Sequence, residues 1–184
     1  HTAKEAKFIV HSEEISVNGR IMKDIKSPIG MFDVVEVKTT KEKFMVIFDE
    51  LGKIKLIPVE DNLIYLKVLG KSTLGAKKFQ INFMNGFNII VDEKTAKSVK
   101  VNDTIVYDFI KKKIEKNLAL KEGAQVYIFD GKFKGKFGEI KSFTHYGGVT
   151  RDIAQIMIGK EEHNTAKDYA FVVGAKKEDL KRFN

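Results

Sequence analysis

The run from Phe129 to Ile140, FDGKFKGKFGEI, places three glycines and three lysines in one short stretch. Gly131, Gly135 and Gly138 alternate with Lys132, Lys134 and Lys136, and Phe133 and Phe137 sit between them. A phosphate-cradling loop would need four residues between its glycines, then Gly-Lys and a Ser or Thr to hold magnesium. Here three residues separate Gly131 from Gly135, Lys136 is followed by Phe137, and the pattern after Gly138 is a strand. The dinucleotide fingerprint fails for the same reason, since no helix follows. A glycine turn between two strands fits instead: glycine supplies positive φ or close approach, lysines neutralise phosphates, and Phe133 can stack on a base. Phe133 fits the core of a small barrel equally well.

Other chemistry has little to build on. The histidines are His1, His11, His145 and His163, and no pair has metal-ligand spacing. No serine lies in a G-x-S-x-G elbow. With no cysteine, a disulfide scaffold and a thiolate zinc site are both excluded. Glu13-Glu14 and Glu161-Glu162 read as polar turns. His145 and Tyr146, beside Gly147-Gly148, read as a loop tip that could touch RNA. We expect no cofactor, no metal and no small-molecule substrate.

Charge narrows the partner. The 184 residues carry a net +8, and residues 111–141 alone hold nine basic against four acidic side chains. More than half of the excess therefore lies in about a sixth of the chain, which favours a polyanion and predicts affinity that falls steeply with salt. Lys71 with Lys77 and Lys78 forms a smaller basic loop and Lys111-Lys112-Lys113 a larger one; Lys141 is a further candidate, and the front of the chain holds Arg20 with Lys23 and Lys26. The last group is offset by Glu13, Glu14 and Asp24, so the loop lysines, turned into solvent, are expected to dominate RNA affinity.

The elements that position these residues are mostly short strands. Ala3–Val10 has helical spacing. EISVNGRI reads as a hairpin turning at Asn18-Gly19, SPIGMFDVVEV as a turn and a strand ending at Val37, and KFMVIFDELGKIKLIPV as a hairpin turning at Asp49–Gly52. Further strands are expected at Leu63–Val68, Lys78–Ile81, Phe87–Val91, Thr104–Phe109, Gln125–Phe129, Phe137–Phe143, Ile153–Ile158 and Tyr169–Val173. IKKKIEKNLAL fits a helix and an exposed strand alike, and the tail Lys176–Phe183 reads as a short helix. No apolar run approaches the roughly 20 residues that span a bilayer, so no membrane is expected. The sequence opens on His1, as a truncated or processed N-terminus would.

Three resemblances follow. Gly123, Val126, Ile128, Gly131, Gly135, Gly138 and Ile140 resemble the KOW motif of SH3-like barrels, which implies RNA or ribonucleoprotein binding. Residues Ala6–Val37, through Val17-Asn18-Gly19-Arg20, Asp24, Pro28, Gly30, Asp33 and Val37, resemble the second half of an S-four RNA-binding domain, with the first helix missing. With VNDTIVYDF at Val101–Phe109 and DYAFVVG at Asp168–Gly174, the order resembles the S-four-e family of small-subunit ribosomal proteins of archaea and eukaryotes. This implies a β-rich α+β chain of three modules: an S-four-like module at 1–40, a central β domain at 41–117, and a KOW/SH3-like barrel with a C-terminal helix at 118–184. It also implies a cytoplasmic, ribosome-bound protein whose partners are ribosomal RNA and neighbouring ribosomal proteins. The expected RNA contacts are Lys132, Phe133, Lys134, Lys136, Lys141, His145, Arg20, Lys23, Lys26, Lys77 and Lys78, with Gly19, Gly131, Gly135 and Gly138 making the turns. The rivals are an RNA-modifying enzyme with an S-four module and a transcription-elongation factor using KOW.

Overall fold

The structure, a computed structural model, describes residues 2–75, 77–145, 147 and 152–183. It opens with helix α1 (Ala3–His11), started by a capping box in which the Thr2 hydroxyl accepts from Glu5 N and Glu5 returns to Thr2 N. Strands β1 (Ile15–Val17), β2 (Arg20–Ile21), β3 (Val34–Val37), β4 (Glu42–Phe48) and β5 (Ile54–Pro58) make an antiparallel sheet ordered β2-β1-β3-β4-β5. The second sheet is β10-β9-β6-β7-β8, from β6 (Leu63–Gly75), β7 (Lys78–Phe83), β8 (Asn88–Asp92), β9 (Thr104–Asp108) and β10 (Lys113–Leu118). Helix α2 (Glu93–Ser98) follows β8. The third sheet is β14-β13-β12-β11-β15, from β11 (Gln125–Ile128), β12 (Phe137–Thr144), β13 (Ile153–Ile158), β14 (Glu161–Ala166) and β15 (Ala170–Gly174).

The three sheets meet at one aromatic ring. Phe32, only 1% exposed, lies 4.5 Å from Phe171, 5.6 Å from Tyr65 and from Tyr127, and 5.8 Å from Phe183, centroid to centroid. Its φ of +62° is a conformation that bulky residues resist at a cost of about 1–3 kcal/mol. Burial of a whole phenylalanine among four aromatic rings offsets a strain of that size. A second cluster, Val126, Ile128, Ile140, Ile156 and Val172, fills the inner face of the third sheet. The tail is fixed by Arg182, whose two terminal nitrogens each reach an Asp61 carboxylate oxygen at 2.5 Å.

Several expectations change. The segment IKKKIEKNLAL, which fitted a helix and a strand alike, contains a strand: Lys113–Leu118 pairs with Thr104–Asp108, with a register shift between Ile114 and Lys116. Glu161-Glu162 begins strand β14 rather than a turn, since every residue from Glu161 to Ala166 faces a partner in β13. The tail Lys177–Phe183 is a 3-10 helix. Helix α2 was not foreseen; Asp92 caps it by accepting from Thr95 N at 3.1 Å. The first sheet runs past residue 40 to Pro58, because Val34 pairs with Met45 and Met45 with Ile57, all three in the core. Among the described residues none of the three sheets closes on itself by hydrogen bonds. Among the described residues no helix is long and apolar enough to cross a membrane.

Candidate nucleic-acid interface

The glycine-lysine run joins β11 to β12 and is held by its own backbone. Gly135 N donates to Ile128 O at 2.8 Å and Ile128 N to Lys136 O at 2.9 Å, closing the turn. Gly131 and Gly135 both have φ of +84°. A Cβ on Gly131 would meet the Tyr169 ring at 3.1 Å. On Gly135 it would lie closer than 3.0 Å to the backbone of Asp49 and 2.6 Å from Glu50 N. Gly138, already in β12, has Met157 O at 2.8 Å from the same position, which leaves no room for a side chain. These glycines therefore serve close approach, and at Gly135 the approach is to another sheet.

That neighbour is the β4–β5 turn, residues 49–53. It is built on Asp49, whose carboxylate accepts from Leu51 N and Lys53 N. Two of the three loop lysines point at it. Lys134 Nζ sits 4.8 Å from the Phe48 ring centroid and 3.7 Å from where Gly52 would carry a Cβ. Lys136 Nζ pairs with Glu50 at 3.4 Å. Beneath them the Tyr127 hydroxyl donates to Phe48 O at 2.8 Å and accepts from Phe48 N at 3.3 Å. The expectation that all three lysines turn into solvent is thus corrected: a loop that must touch another backbone at Gly135 carries the flanking side chains into the same contact. Lys132 alone is exposed, with its ammonium 5.6 Å above Phe133. Phe133 is half-buried against the third sheet's core, its ring 4.4 Å from that of His163.

The remaining expected contacts are scattered. Arg20 is exposed, with its guanidinium 5.7 Å over the Phe87 ring. Its turn is tight: a Cβ on Gly19, φ +74°, would stand 3.0 Å from the Phe109 ring. Lys23 pairs with Glu13 at 3.2 Å, whereas Lys26 is exposed. Lys77, at φ +62°, and Lys78 form the exposed end of the β6–β7 hairpin. Lys71, expected beside them, instead donates to the carbonyls of Ala96 and Val99 at 2.8 Å and so caps α2. Lys141 pairs with Glu139 at 3.0 Å. His145 Nδ1 pairs with the Asp152 carboxylate and holds its pKa below the usual range; Lys167 adds to the effect from 3.4 Å. His1, Tyr146 and Gly148 lie outside the described residues.

Two positions that tie one sheet to another escaped the sequence reading. Tyr127 is one. The other is Lys67, 2% exposed, whose ammonium donates to the Asp168 and Ala170 carbonyls at 2.7 and 2.5 Å, tying the second sheet to the third. Burial pulls its pKa down from 10.5 to about 8. A lone lysine inside the apolar run LIYLKVL was the available clue, because a charge there must find partners. Among the described residues no group of three or more acidic or histidine side chains could hold a metal.

Residues 40–114 match the model of the family described as Ribosomal family S4e. The chain is 32% identical over 179 residues to the small ribosomal subunit protein eS4 of Archaeoglobus fulgidus, covering 97% of this chain and 74% of that one. It is 32% identical over 178 residues to the eS4 protein of Methanocaldococcus jannaschii, covering 94% and 73%. The crystal structure of the 30S ribosomal protein S4e from Thermoplasma acidophilum superposes with a TM-score of 0.79 at 24% identity, over 95% of this chain and 87% of that one, so the two share the fold. With sequence similarity along nearly its whole length, the chain belongs to the S4e family of ribosomal proteins.

Proposed function

We propose that this chain is a non-enzymatic constituent of the small ribosomal subunit that binds ribosomal RNA and touches neighbouring ribosomal proteins in the cytoplasm. The carrying observation is similarity to eS4 proteins along 97% of the chain. The basic excess over residues 111–141 supports it, because a surface for a polyanion needs such a field.

The finer organisation is also our reading. The front sheet is an S-four-like module, the second sheet a central β domain, and the third sheet with its glycine turn a KOW-type, SH3-like unit. Support comes from the Asn18-Gly19 hairpin and from the glycines at 131, 135 and 138 at turn and close-approach positions. RNA contact falls to the exposed cations Lys132, Arg20, Lys26, Lys77 and Lys78, and along and just after β12 to Lys141 and His145. Lys23 acts with Glu13, and Lys134 and Lys136 brace the loop. Crosslinking in cells followed by sequencing of the attached RNA tests the reading: small-subunit ribosomal RNA should dominate. Attachment chiefly to transfer or messenger RNA would overturn it.

A further inference from the structure

A cleft of about 440 Å³ opens between the first and second sheets, and two Asn-Gly turns form its lips. Asn18 and Arg20 line it from the β1–β2 hairpin, and Asn85, Phe87 and Asn88 line it from the β7–β8 hairpin. Its charges are unequal in availability. Asp33, the one carboxylate in the lining, accepts from Asn18 Nδ2 at 2.8 Å and from Gly30 N at 2.6 Å. Arg20, the one cation, rests over Phe87, and no described carboxylate comes within 4 Å of it. The Asn85 and Asn88 side chains are exposed, and Asn85 uses only its carbonyl oxygen, toward Phe87 N. Gly86 adds no bulk: a Cβ there would meet nothing within 4 Å.

We propose that this cleft takes one unpaired ribonucleotide of the bound RNA. The base stacks on the guanidinium of Arg20, whose other side is covered by Phe87, and the amides of Asn85 and Asn88 meet its edge. The shape and the polar lining favour a base over a duplex backbone. Paired RNA is gripped along rows of phosphates by several cations, whereas unstacked bases are held on aromatic and arginine planes and hydrogen-bonded at their edges. A single cation among uncharged amides in a recess matches the second pattern. Asp33 at the inner wall sets the direction: the phosphate stays outside near Arg20 and the base points in.

The inference rests on the RNA-binding reading, and the test separates the two. Amide chemical shifts of the whole chain are followed while adding a short single-stranded oligoadenylate or oligouridylate, and separately a short RNA duplex. Shifts at Gly19, Arg20, Gly86 and Asn88 are expected with a single strand and not with the duplex. Arg20→Lys, which retains charge and loses the plane, should lower the single-strand-to-duplex preference about tenfold. Asn88→Ala, on an exposed strand position, should lower it about threefold and serves if Arg20→Lys disturbs the fold. A silent cleft, equal shifts with the duplex, or an unchanged preference in both variants would overturn the proposal. Crosslinks to small-subunit RNA alongside a silent cleft would sink the cleft and leave the proposed function standing.

Discussion

The turn at Asn18-Gly19 and the loop from Gly131 to Gly138 hold the same ingredients and use them in opposite ways. Each sets a positive-φ glycine next to cationic residues, and each glycine lies against a different sheet. At Gly19 the neighbour is the side chain of Phe109, so the turn stays shallow and Arg20 faces outward. At Gly135 the neighbour is the backbone of Asp49 and Glu50, and Lys134 and Lys136 are drawn onto Phe48 and Glu50. The richer concentration of charge therefore leaves the smaller share of its cations free. Charge density along a chain measures what is present, and packing decides what is available to a ligand.

The sharpest break of this contrast is Gly135→Val. A β-branched side chain at φ +84°, with backbone inside 3.0 Å, should cost more than about 4 kcal/mol or prevent folding, as read by chemical denaturation. Gly86→Ala is the control at an open turn: φ is +76° with nothing nearby, so only the left-handed strain of about 1 kcal/mol is expected. Equal losses in the two would mean that the loop does not press on the β4–β5 turn.

Lys67 gives the next largest effect and a pH signature. Its folded pKa, about 8, lies below the unfolded 10.5, so between those values the unfolded chain binds more protons and stability rises with pH. Below about pH 8 the full burden of burying the ammonium applies. From pH 8 to 10 the wild type should gain on the order of 2 kcal/mol, and Lys67→Met should flatten that rise. Parallel stability curves for the two proteins would rule this out. Tyr127→Phe should lose about 1–2 kcal/mol at neutral pH, since Phe48 O gives up its phenol donor.

The smallest effects separate the three loop lysines. Lys132→Ala should weaken RNA binding modestly and lower the log–log salt slope by about one. Lys136→Ala should change the slope little and reduce stability by less than about 1 kcal/mol, as for a partly exposed ion pair. A filter-binding series over several salt concentrations, with melts on the same samples, checks both. Equal slopes for the two variants would return Lys136 to the RNA surface.

What the sequence disclosed follows the range of the interaction. The Asn18-Gly19 and Asp49–Gly52 hairpins were readable because turn chemistry is written within four residues. The need for glycine at 131, 135 and 138 was visible as well, but the object approached at 135, the Asp49 carbonyl, lies in a different sheet and leaves no local trace. β14, EEHNTA, was missed because it is an edge strand whose polar residues owe their conformation to pairing with β13. β10 was ambiguous for a related cause: its lysines satisfy either period, and only β9 decides between them. Arg20 was legible as a cation and the cleft beside it was not, because its far wall comes from the second sheet.

Phe32 carries a consequence for how the chain is made. Its ring partners come from residues 65, 127, 171 and 183, so the hub cannot close until the last of them has left the synthesising ribosome. Until then the left-handed kink at Phe32 has nothing to offset it, and the growing chain carries an exposed cluster of aromatic rings. Contacts of such long sequence separation form slowly and leave intermediates prone to aggregate. Newly made chains are therefore vulnerable until Phe183 is in place, and early capture by a chaperone or by RNA would shorten that interval.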